Sequence, residues 1–79
     1  MEYEIGKVTF FDNHYGKIVS EEGEYLFLDS DIDTQTPLHV GDLVAFRGEL
    51  KHDKRRAYFV KKAEEKLLEN AKQKVLGTN

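Results

Sequence analysis

Seventy-nine residues, a formal net charge of −3 and no cysteine leave room for one small domain and exclude a disulfide framework or a thiolate metal site as its support. No apolar run approaches the roughly twenty residues a membrane-spanning helix needs. The acidic start Met1-Glu2-Tyr3-Glu4 lacks the basic-then-apolar pattern of a secretion signal, so a soluble cytoplasmic protein is expected.

Taken in chain order, Gly6 to Asp29 reads as two consecutive β-hairpins. Gly6-Lys7-Val8-Thr9-Phe10-Phe11-Asp12 runs into an Asn13-His14 corner. Tyr15-Gly16-Lys17-Ile18-Val19 follows, then an acidic turn at Glu21-Glu22-Gly23-Glu24, then Tyr25-Leu26-Phe27-Leu28-Asp29. Strand side chains alternate between faces. With Ile18, Leu26 and Leu28 directed into a core, Tyr15, Lys17, Tyr25 and Phe27 share the solvated face. Aromatic side chains exposed beside lysine suit a splayed-out nucleobase, whose stacking contributes about 1–3 kcal/mol while a cation holds the phosphate. The competing expectation is that single rings cap a barrel end or pack beneath the C-terminal segment.

Beyond Asp29, Ser30 to Thr36 is polar and Pro37 cannot donate to a ladder. Gly41-Asp42 turns into Leu43-Val44-Ala45-Phe46, where Val44 and Phe46 share a face. The basic run Lys51-His52-Asp53-Lys54-Arg55-Arg56 reads as a loop before a last strand, Ala57-Tyr58-Phe59-Val60. Alternation alone leaves the inward residues of that strand open.

These pieces, in this order, resemble the cold-shock domain, a five-stranded OB-type barrel that binds single-stranded RNA and DNA; the resemblance covers roughly Glu4 to Ala63. The first strand is similar to the family's Gly-x-Val-Lys-Trp-Phe-Asn. Tyr15-Gly16-Lys17-Ile18 is similar to the Phe-Gly-Phe-Ile of its first ribonucleoprotein motif, and Leu26-Phe27-Leu28-Asp29 to the Val-Phe-Val-His of the second. Leu38 to Phe46 fits Leu-x-x-Gly-x-x-Val-x-Phe, and Ala57 to Val60 fits Ala-x-x-Val, which implies Val60 inward with Tyr58 on the same side and Phe59 outside. The departures thin the expected platform: Thr9 replaces lysine, Phe10 tryptophan, Lys17 an aromatic and Asp29 a histidine, and Asp31 to His39 carries no ring. Carried over by position, the resemblance implies stacking by Phe10, Tyr15 and Phe27, with Phe11 as an additional candidate. Lys7, Lys17, Lys54, Arg55 and Arg56 line the backbone path, the basic loop forming one wall of the OB groove.

Charge opposes a careless assignment to nucleic acid. Through Val60 seven bases face twelve acids, giving −5, and from Lys61 five lysines face three glutamates, giving +2. A negative barrel is repelled by phosphate at long range, so binding depends on where the cations sit.

From Lys61 the period becomes helical: Ala63, Leu67, Leu68, Ala71, Val75 and Leu76 recur on one face and Gly77 stands as a C-terminal cap. The organisation expected is therefore a barrel over residues 1–61 and an amphipathic helix over 62–77. An isolated helix of this length is marginal, so the face of Leu67, Leu68, Ala71 and Val75 needs a partner. Its own barrel, a second copy in a homodimer, or another protein are the alternatives; lying over Phe10, Tyr15 and Phe27 it acts as a plug.

Catalytic spacing is missing. His14, His39 and His52 fall in turns, and Asp29, Asp31 and Asp33 lack the glycine and terminal glutamate of a calcium loop. Neither catalytic residues, metal nor cofactor is expected. The function expected is binding of single-stranded nucleic acid, RNA favoured, as an RNA chaperone or modulator of transcription or translation. The alternative is a protein-interaction or dimerisation module that has lost that ligand.

Overall fold

The computed structural model describes residues 3–64. Its strands are β1 (Glu4–Phe11), β2 (Tyr15–Ser20), β3 (Gly23–Leu28), β4 (Leu43–Lys51) and β5 (Lys54–Lys62), with a 3-10 turn at Asp29–Asp31. They close into a barrel in the order β1-β2-β3-β5-β4, antiparallel throughout except for the parallel pair β3 and β5. Closure removes the unpaired sheet edges that would otherwise invite association. The architecture is consistent with the expected OB-type fold. Among the described residues no helix is long and apolar enough to cross a membrane.

Val8, Ile18, Phe27, Val44, Phe46, Ala57 and Val60 fill the interior, with Tyr25 and Leu38 at its margins. On β3 this reverses the expected alternation. Tyr25 and Phe27 point inward, and Leu26 and Leu28 point out. Ring size and glycine placement explain the reversal. Gly16 is the cross-strand partner of Phe27, and a Cβ there would fall on the Phe27 ring. The missing side chain is thus the space the ring occupies. Tyr25 likewise lies against Gly48, meets Phe46 edge-on at 4.9 Å and donates its hydroxyl to Glu4 Oε1 at 3.0 Å. A leucine at either position would leave this volume partly empty.

Two bulges set the outer face. On β1 the register passes from Val8 opposite Ile18 to Phe10 opposite Lys17, so Thr9 and Phe10 face one residue. Strict alternation would send Phe10 inward after Gly6 and Val8; the extra residue turns it out. Phe11 takes the inward place and stacks on Phe27 at 5.7 Å and 28°, half-buried against the core. On β5 the register passes from Tyr58 opposite Arg47 to Lys61 opposite Ala45. Phe59 adopts φ +53° there, a left-handed conformation that bulges usually give to glycine and that strains a bulky residue by about 1–3 kcal/mol. Tyr58, expected on the side of Val60, is turned by this bulge to the outer surface with Phe59, while Val60 stays in.

The expected basic loop is instead a tight hairpin. Only His52 and Asp53 turn, at φ +52° and +63°, and Lys54, Arg55 and Arg56 belong to β5. Positive φ at both turn residues matches the right-handed twist of the flanking strands. Lys62 is the last residue of β5 rather than the first of a helix. The expected helix face of Leu67, Leu68, Ala71 and Val75 lies outside the described residues.

Candidate nucleic-acid interface

One row of cross-strand partners runs over the outer face of all five strands. Phe10 on β1 pairs with Lys17 on β2, Lys17 with Leu26 on β3, Leu26 with Arg56 on β5, and Arg56 with Glu49 on β4. At the β1 end Phe10 and Tyr15 make a ring pair with centroids 5.3 Å apart, tilted by 40°. They stay 39% and 37% exposed, enough to offer ring surface to a flat partner.

The ring pair is held by its turn. Asp12 Oδ1 accepts the backbone N–H groups of Tyr15 at 3.0 Å and His14 at 2.9 Å. These two bonds, that of Tyr15 first, hold the Asp12 carboxyl below the ordinary carboxylate range. Asn13 supplies the positive φ, +77°, that such a corner requires.

At the other end the row opens into a groove of about 650 Å³ between β2, β3 and the β4–β5 hairpin. Its cations are Lys17, Lys51, Lys54, Arg55 and Arg56; its carboxylates are Glu24 and Glu49. A protein negative overall thus gathers a local positive excess in this hollow. Leu26, Tyr25 and Tyr58 supply apolar floor. Several of these cations are partly engaged. Lys17 Nζ lies 3.8 Å from Glu24 Oε1 with side chains 45% and 57% exposed, a contact worth about 0–1 kcal/mol. Arg56 Nη2 donates to Asp31 Oδ2 at 2.9 Å, while its guanidinium lies 5.0 Å from the Tyr58 ring centroid. Arg55 lies 6.0 Å from the Tyr25 centroid; burial, followed by the bond to Glu4, pushes the Tyr25 phenol above its ordinary pKa.

Of the residues expected at the interface, Phe10, Tyr15, Lys17, Lys54, Arg55 and Arg56 fall on this face. Phe27 does not. It is fully buried and its expected stacking role is withdrawn, because its ring completes the interior beside Gly16. Phe11 is withdrawn with it, since it stacks on Phe27. Lys7 is exposed but outside the groove lining, with Val19 and Leu43 as register partners. Glu24, expected in the acidic turn, is instead a groove residue on β3. Tyr58, expected on the inner side with Val60, was not anticipated here and lines the groove. Among the described residues no cluster of three His, Cys, Asp or Glu side chains could hold a metal ion.

No family model matches this sequence, and no curated protein matches it.

Proposed function

We propose that the protein binds single-stranded nucleic acid, RNA favoured, across the outer face of a divergent cold-shock-type OB barrel. The observation that carries this is the row from Phe10 through Lys17 to Arg56, which joins an exposed ring pair to a cation-rich groove. Bases stack on Phe10 and Tyr15, and Lys17, Lys54, Arg55 and Arg56 follow the phosphates. Stacking is indifferent to base identity because every base has a π-face, so binding is sequence-tolerant. Loss of Phe27 from the platform and the acidic balance make it weak to moderate. Such a ligand suits transient melting of RNA structure during transcription or translation in the cytoplasm. Titration of a fluorescent oligo-U tests it: with about three phosphate contacts, log affinity falls against log salt with a slope near −2. Absence of binding at low salt defeats the proposal.

A second reading, a protein-contact module, draws on a different face. Ile5 on β1 and Leu43 on β4 are 56% and 55% exposed, and Leu43 and Val19 flank Lys7 in register. Light scattering on the parent and on Leu43→Asp separates the readings: a dimer mass that halves in the variant favours contact through this face.

A further inference from the structure

Phe59 is a bulky residue held where L side chains rarely go. Its φ is +53°, and the ring so placed remains 52% exposed. Among the described residues it belongs to no core cluster. Glycine or asparagine would adopt the same bulge with less strain, and strain of this kind clusters at binding sites.

Two further observations point to a ligand. The Arg47 guanidinium lies 5.7 Å from the Phe59 centroid, just as Arg56 lies 5.0 Å from that of Tyr58; adjacent rings on β5 each carry an arginine. Hollows also open on both sides of Phe59. One, of about 260 Å³, is lined by Arg47, Gly48, Glu49 and Tyr58; the other, of about 280 Å³, by Ser30, Asp31, Ile32, Asp33 and Tyr58, and its two carboxylates leave the Arg47 side as the one open to a phosphate. Tyr58 lines both hollows and the main groove, so Phe59 and the groove are neighbours across the Tyr58 side chain.

We infer that Phe59 is a further base-stacking position, with Arg47 as the phosphate contact beside it. The inference rests on the proposed function and deepens it by setting the length of the bound strand. From Phe10 to Arg56 the row crosses three strand spacings, about 14 Å, and Arg56 to Phe59 adds about 10 Å along β5. A short oligonucleotide engages the row alone; a longer one reaches Phe59.

Oligo-U strands of about four and about twelve nucleotides, within the site sizes of such folds, test this on the parent and on Phe59→Asn, which tolerates the left-handed backbone. The expected result is equal affinity for the short strand and a loss of roughly 5- to 150-fold for the long one. Thermal unfolding of the variant should match or exceed the parent. Equal affinity for the long strand overturns the inference, as does a variant markedly less stable than the parent, which would make the ring structural. If the parent binds neither strand, the groove reading falls and Phe59 falls with it; binding of the short strand with no effect of Phe59→Asn on the long one removes Phe59 alone.

Discussion

Arg56 Nη2 donates to Asp31 Oδ2 at 2.9 Å, and the same oxygen accepts the backbone N–H of Leu28 at 2.8 Å. One carboxylate thus ties the end of β3 to β5 and partly neutralises a groove cation. Asp31→Asn keeps an acceptor for Leu28 but removes the charge. Stability should fall by about 1–2 kcal/mol, and oligo-U affinity should rise several-fold as Arg56 is freed. Urea denaturation and titration measure the two; an affinity that drops while the fold persists removes Arg56 from the phosphate path.

Phe10 and Phe27 should behave oppositely when truncated. Phe27→Ala leaves a core cavity and should cost about 3–5 kcal/mol, much of the stability of a domain this small. Phe10→Ala should change stability by under about 1 kcal/mol yet weaken oligo-U binding by roughly 5- to 150-fold. Denaturation midpoints with binding isotherms on both variants decide it. Unaltered binding by Phe10→Ala would remove the ring pair from the interface.

Glu24 tests the electrostatics of the groove. Its contact with Lys17 is long at 3.8 Å, so Glu24→Lys should leave stability within about 1 kcal/mol of the parent. Affinity at low salt should rise and the salt slope steepen by about 0.7 if one phosphate contact is gained. A weaker complex would place the phosphate track elsewhere.

Tyr25 predicts an alkaline limit. Burial first, then the bond to Glu4, raises its folded pKa above its unfolded value near 10. Between those values the unfolded chain has lost a proton that the folded chain keeps, so this contribution is complete below pH 10 and is lost as pH rises through the folded value. Tyr25→Phe should remove that part of the alkaline loss while costing about 1 kcal/mol at pH 7 through the missing bond to Glu4. Unfolding of both proteins at pH 7 and in the alkaline range measures it; an identical alkaline decline in the variant refutes the assignment.

How much was legible varies strand by strand. β2 followed plain alternation, with Ile18 in and Tyr15 out, because a regular strand leaves no other choice. β3 did not: Leu26 and Phe27 are both apolar, so hydrophobicity could not say which belonged inside. The volume beside Gly16 made that decision, and only pairing brings Gly16 opposite Phe27. Phe10, Tyr58 and Phe59 depended on bulges, and one extra residue reverses every later side chain on a strand.

The amino-acid order by itself determined that there would be several short strands, cations clustered around the last turn and the strand after it, and no cysteine chemistry. Those properties are local, carried by period, turn residues and composition. Which rings meet solvent, and that scattered lysines and arginines converge on one hollow of a negative protein, was decided only by tertiary structure. Facing is set by register between strands distant in sequence, and charge becomes a field only when folding fixes its position.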